Sequence, residues 1–224
     1  MTGVDLSFNF NFMSNFDDSK NDSRYCILQA ATRLFARLGL DKCSTREIAK
    51  ESDSNISLIS YYFGGKEGLY KEVMRSYALQ IRNSVDQIFD YSEENPLTRE
   101  RFSQEISHMV ENMIRLRTEN PEMSQIFSRE KLAGMPFSKE VHEEIFYPLI
   151  QKFYQLFKMA QQAGFVREDI NPAFFFVTLS EGVWGFFEMR DCHTSLNNDC
   201  ADLFKNNEEI KNQILKIYLT GVLK

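Results

Sequence analysis

The chain has 224 residues and is 43% hydrophobic, enough for one large domain or two small ones with a substantial core. Ten glycines and five prolines are few for this length, which excludes a turn-rich all-β architecture and favours long helices. The formal charge of −6 argues against nucleic acid as a partner, unless the charge is unevenly spread.

Residues 1–21 read as an N-terminal arm. Phe8, Phe10 and Phe12 alternate with a strand's period, yet the run is isolated and flanked by polar residues. The arm is either flexible or held against the body or a second subunit. It has no basic stretch ahead of an apolar one, so no export signal is expected. No run of about 18 apolar residues occurs either, so no membrane span is expected, while four cysteines without disulfide-rich spacing suit a reducing cytoplasm.

From Asp22 the pattern becomes helical. Ile27, Ala31, Leu34, Phe35 and Leu38 share one face, and Gly39 supplies a stop. Ser44 and Glu47 then form the signature of a capping box at the start of a short helix whose inward residues are Ile48 and Ala49. Asp53, Ser54 and Asn55 make a polar turn, where Asp and Asn tolerate left-handed backbone angles. A second short helix, ISLISYYF, ends at Gly64 and Gly65, and Lys66 opens a longer helix reaching about Tyr91. Two short helices joined by a tight turn and packed by a preceding helix form a helix-turn-helix unit. In its second helix Leu58, Ile59 and Phe63 face the core, leaving Ile56, Ser57, Ser60 and Tyr61 outward.

Charge supports the same division. Residues 24–75 hold nine basic and six acidic side chains, so this stretch is +3 while the remainder is −9. A basic head on an acidic body suits a DNA-contacting module joined to a part with another task.

With STREIAKESDSNISLISYYFGGKEGLY and the preceding AATRLFARLGLDKC in view, the segment 24–73 resembles the DNA-binding domain of the TetR family of bacterial transcriptional regulators. Phe35 with Gly39, Ile48-Ala49, Tyr62-Phe63 and Lys66 with Leu69 carry the likeness. Asp53 and Ser54 depart from it, standing where the family usually has Gly and Val.

The resemblance implies that Thr45 and Arg46 touch phosphate and base, and that Ile56, Ser57, Ser60 and Tyr61 enter the major groove. It implies phosphate clamping by Tyr62 and Lys66. The chemistry agrees, since Arg can bond guanine bidentately and apolar groups contact thymine methyls. The expected division is an arm (1–21), a helix-turn-helix DNA-binding domain (22–70) and a helical effector-binding and dimerisation domain (71–224).

In the body, prolines punctuate helices expected at 97–119, 121–131, 138–163, 172–190 and 203–222. The segment NPAFFFVTLSEGVWGFFEMR is apolar almost all round and needs cover on more than one side. Val177, Ser180, Gly182 and Gly185 on it, with Ile210, Ile214 and Tyr218 of the last helix, are candidates for a two-fold four-helix interface. Met109, Met113, Met123 and Phe127 are candidates for an effector pocket, as are Phe146, Tyr147, Phe153 and Trp184. The abundance of Phe and Met points to an apolar or aromatic effector.

Competing classes are an enzyme and a helical adaptor. None of the three histidines sits in a catalytic motif, and no glycine-rich phosphate loop occurs, so no catalytic residue and no cofactor is assigned. Asp191, Cys192, His193 and Cys200 match no standard zinc spacing, and no metal is expected. The sequence thus describes an all-α, dimeric, one-component repressor whose partners are a palindromic double-stranded operator and a small effector.

Overall fold

A computed structural model describes residues 18–85, 97–192 and 194–223, and these are helical throughout apart from connections and one isolated bridge. The Phe-rich arm falls almost wholly outside the described residues, as does His193. The chain separates into two compact units, one ending at Val73 and the other beginning at Met74.

In the first unit, α1 (Asp18–Lys42) packs on α2 (Thr45–Glu51) and α3 (Ser57–Phe63). Ile27, Leu34 and Phe35 of α1 meet Ile48 of α2 and Ile59 of α3 in a fully buried core. Tyr70, on α4 (Lys66–Val85), sets its ring edge-on to Phe35 at 5.0 Å. Gly39 (φ 77°) interrupts α1, and Cys43 follows as a buried side chain whose thiol burial pushes up to about 11.

Local chemistry fixes the two short helices. The Ser44 hydroxyl accepts from the Glu47 N–H at 3.2 Å, while a Glu47 carboxylate oxygen accepts from the Ser44 N–H at 2.9 Å. At the other end Asp53 adopts φ 48°, and the Ser54 N–H reaches back to the Ala49 carbonyl at 2.9 Å. That is a Schellman closure with Asp in the usual glycine place. Asn55 then holds α3, its Oδ1 accepting from both N–H and hydroxyl of Ser57. Gly64 (φ 70°) ends α3 in the left-handed region.

Among the described residues, the second unit holds the rest of α4, seven further α-helices and a 3-10 turn at Leu203–Lys205. The seven are α5 (Arg99–Glu119), α6 (Pro121–Leu132), the one-turn α7 (Lys139–Val141), α8 (Tyr147–Gln162), α9 (Pro172–Asp191), the short α10 (Leu196–Asp199) and α11 (Asn207–Val222). A π-turn, His142–Phe146, joins α7 to α8. Pro148 stands two residues after its end, in the first turn of α8. A proline lacks the N–H an α-turn needs and crowds the carbonyl four residues back, and the wider turn accommodates it. Val166 and Leu223 form the isolated bridge, which ties the α8–α9 connection to the end of α11.

Helix α5 carries the core of this unit. Phe102, Ile106, Val110 and Ile114, spaced four apart on one face, are buried against Phe153 and Phe157 of α8, the inner stripe of α9 and Ile210 of α11. Rings lock the seam, with Phe157 5.0 Å from Phe175 and 5.8 Å from Phe102. Arg117, one turn beyond Ile114, is also buried and donates to Asp191 at 2.6 Å, pinning α5 to the end of α9.

Candidate functional site

Two surfaces carry the candidate chemistry, one in each unit. In the first, the recognition face is built by what α3 buries. Ile59 is fully buried and Leu58 half-buried, so the opposite face turns outward with Ile56, Ser57, Ser60 and Tyr61 all exposed. Tyr61 stands 73% exposed, its ring in edge contact with Tyr62 at 5.0 Å. Tyr62 and Phe63 are half-buried, and the Arg24 guanidinium lies over the Phe63 ring at 5.3 Å.

On α2, Thr45 is half-buried at the helix start and Arg46 is exposed. Lys50 lies one turn beyond Arg46, and both line a shallow groove with Ala49, Asp53, Ser54 and Ile56. Lys50 was missed from sequence, although its i+4 spacing from Arg46 was the signal available. Of the nearby carboxylates, Glu47 is held in the capping box and Glu51 pairs with Arg33 at 2.9 Å, while Asp53 shares the groove with Arg46 and Lys50.

Lys66, expected to clamp phosphate, has partners within the protein. Its ammonium turns inward and donates to the Leu40 carbonyl at 2.8 Å and the Cys43 carbonyl at 3.0 Å, sealing the break between α1 and α2. The side chain therefore braces the fold, and what faces outward at this point is the backbone at the start of α4. Lys66→Ala is expected to lower stability by about 2 kcal/mol, since charge-assisted bonds contribute about 1.5–3 kcal/mol. Denaturant titration measures it. An unchanged midpoint with weakened DNA binding would return Lys66 to the phosphate.

In the second unit a cavity of about 390 Å³ opens among α4, α5, α6, α8 and α9. Each helix lends it a definite stripe. Met109, Asn112, Met113 and Leu116 come from α5, one face round from its core stripe; Ser124, Phe127, Ser128 and Lys131 come from α6. The π-turn contributes His142 and Phe146, and Tyr77 and Ile81 come from α4. Burial pushes the Tyr77 phenol up, and its hydroxyl sits 3.5 Å from the Leu116 carbonyl.

Helix α9 resolves the all-round apolar pattern into faces with different roles. Phe175, Leu179, Val183 and Phe187 are buried in the core, whereas Phe176, Ser180, Trp184 and Glu188 line the cavity. Phe174 and Val177 remain 68% and 51% exposed, with Gly182 and Gly185 exposed as well.

Of the effector candidates, Met109, Met113, Phe127, Phe146, Phe153 and Trp184 line the cavity. Met123 and Tyr147 do not. Met123 shares the buried face of α6 with Ile126, and Tyr147 is exposed beyond the π-turn. Of the interface candidates, Ile210 is buried in the core of the unit itself, and Ser180 turns to the cavity. Ile214 and Tyr218 are half-buried against the core, and the Tyr218 hydroxyl donates to the Thr178 carbonyl at 2.7 Å. Among the described residues no group of His, Cys, Asp and Glu is arranged to hold a metal, and no helix is long and apolar enough to cross a membrane.

Residues 27–73 match the model of the bacterial regulatory proteins of the tetR family. The chain is 31% identical over 129 residues to the HTH-type transcriptional dual regulator CecR of Shigella flexneri, covering 55% of this chain and 57% of that one. It thus spans little more than half the length of that relative. Among solved structures it is similar to HlyIIR, a hemolysin II transcriptional regulator, at 21% identity with a TM-score of 0.65, over 89% of this chain and 98% of that one. It is equally similar to the ketosteroid transcriptional regulator KstR2 of Mycobacterium tuberculosis, at 17% identity and a TM-score of 0.67, over 90% and 95%. At these identities the structural likeness speaks for the fold.

Proposed function

We propose that this chain, whose residues 27–73 match the tetR family of bacterial regulatory proteins, is a ligand-responsive transcriptional repressor acting as a homodimer on a palindromic operator. The observation that carries the reading is the outward face of α3. A helix that buries only Ile59 while holding Ile56, Ser57, Ser60 and Tyr61 in solvent presents the mixture of methyl, hydroxyl and ring that a major groove accepts. Arg46 and Lys50 on α2 add the positive charge that draws phosphate and base edges.

Of the exposed apolar residues of the second unit, Phe174 and Val177 on α9 and Ile217 on α11 supply the dimer surface. A two-fold dimer sets its recognition helices in successive major grooves, about 34–36 Å apart. The cavity holds the effector. Its wall includes Tyr77 and Ile81, and α4 is one continuous helix from Lys66, so a ligand that shifts α4 also shifts the start of that helix. Coupling of about 1–3 kcal/mol suffices for such a switch. The protein works in the cytoplasm, where its DNA is.

Selection of fragments from a random DNA pool tests the proposal. Enrichment of a palindrome, retained less as salt rises, is the expected result; absence of any enriched sequence would sink it. On the selected operator, Tyr61→Ala and Arg46→Ala are each expected to narrow the gap between operator and random DNA by about 1–3 kcal/mol. Equal losses on both kinds of DNA would make these residues backbone contacts instead.

A further inference from the structure

Among the described residues, the cavity wall contains one carboxylate that makes no ion pair. Glu188 projects from α9, and among the described residues its hydrogen-bond partner is the Ser128 hydroxyl, donating at 2.5 Å. The second carboxylate in the wall, Glu181, is already paired, with the Lys131 ammonium at 2.6 Å. His142 also faces the cavity, with Nδ1 3.7 Å from Glu143, and the remaining titratable group in the wall is the Tyr77 phenol. Lys131 and Glu181 cancel, which leaves the charge of Glu188 as the balance of the wall.

Around it the wall is aromatic. Phe127, Phe146, Phe176 and Trp184 offer ring faces whose quadrupoles attract positive charge. Independently, the Ser138 hydroxyl in the same wall is fully buried and has no hydrogen-bond partner among the described residues. A buried hydroxyl left without a partner is costly, so it marks a position for a ligand's polar atom.

An apolar ligand entering this space displaces the water that solvates Glu188. A neutral ligand would strand the carboxylate, and an anion would oppose it. We propose that the effector is an amphipathic organic cation, an aromatic or apolar body carrying one protonated amine that donates to Glu188, with Ser138 meeting a second polar atom. This inference rests on the reading of the cavity as the effector site. It narrows the apolar effector expected from the Phe and Met content to one with a single positive charge.

The test uses three probes of one skeleton, 9-(aminomethyl)anthracene, 9-anthracenemethanol and 9-anthracenecarboxylate. Trp184 is the only tryptophan in the chain and lies in the wall, so quenching of its fluorescence reports occupancy directly. On the full chain the amine is expected to bind about tenfold more tightly than the alcohol, with the carboxylate weakest. Glu188→Gln should erase the difference between amine and alcohol, while Glu188→Asp keeps part of it. Alcohol binding by each variant shows that its cavity is intact. An alcohol that binds as tightly as the amine, or an amine preference that survives Glu188→Gln, overturns the inference and leaves the effector reading standing. Failure of all three probes to quench Trp184 overturns both.

Discussion

Replacing Gly68 by alanine is expected to unfold the first unit or come close to it. A Cβ built at Gly68 would stand 1.8 Å from the Phe63 carbonyl oxygen and 3.0 Å from the Phe63 carbonyl carbon. Those atoms are backbone and cannot rotate away as a side chain would. Either the end of α3 or the start of α4 must move, and both positions matter: Ile59 and Leu69 are fully buried on those helices. Overpacking of a side-chain core costs about 1–3 kcal/mol, and a clash with backbone should reach the top of that range or exceed it. Against a total stability of about 5–15 kcal/mol, such a loss removes much of the folded population. Gly64 and Gly65 are the controls. Their added Cβ atoms meet nothing within 4 Å, so alanine there pays only for the left-handed backbone, about 1–2 kcal/mol. Chemical denaturation of the three variants should rank Gly68→Ala far below the other two. A Gly68→Ala protein as stable as Gly64→Ala would mean that the close approach of α3 and α4 is not a structural requirement.

Features that depend on neighbours along the chain were legible in the sequence. The Ser44–Glu47 box, the left-handed turn at Asp53 and the division of α3 into Ile59 inward and Tyr61 outward each involve only a few consecutive residues. Features that depend on approach in space were not. The bracing role of Lys66 was hidden because its partners, the carbonyls of Leu40 and Cys43, lie more than twenty positions earlier. Gly68 looked unremarkable within GGKEGLY, since its need for a missing side chain comes from the end of the preceding helix. In the body, residue type alone pointed to Met and aromatic side chains, but register decides which of them reach the cavity. Tyr147 and Phe146 are adjacent, yet the π-turn adds a residue to that turn and directs Phe146, not Tyr147, into the wall. Glu188 escaped notice because a carboxylate on an apolar helix reads as a solvent-facing residue until the stripe of Phe176, Ser180 and Trp184 is seen to share its face.

Gly185→Leu is expected to split the dimer and take most operator affinity with it. Gly182 and Gly185 look alike in sequence, yet they differ in space. A Cβ at Gly182 would lie 2.7 Å from the Tyr218 hydroxyl of the same chain, so substitution there disturbs the protomer itself. A Cβ at Gly185 meets nothing within 4 Å, and the position is exposed. Leucine at 185 is therefore tolerated by the protomer and should even favour its helix, by about 0.8–1 kcal/mol over glycine. Any loss of assembly then has to come from a surface outside the protomer. If α9 of one copy packs on its two-fold mate beside Phe174 and Val177, a leucine repeated on both sides forces the helices apart, since interaxial distances of about 8–10 Å depend on the residues at the contact. A single half-site contact is weak, because linking two modules can raise affinity by about 10²–10⁴ over either alone. Operator affinity should fall by a factor in that range, with every recognition residue intact and helical content unchanged. Sedimentation and operator titration of the same preparation decide the matter: a dimer at full strength that binds its operator normally would place the interface away from this face of α9.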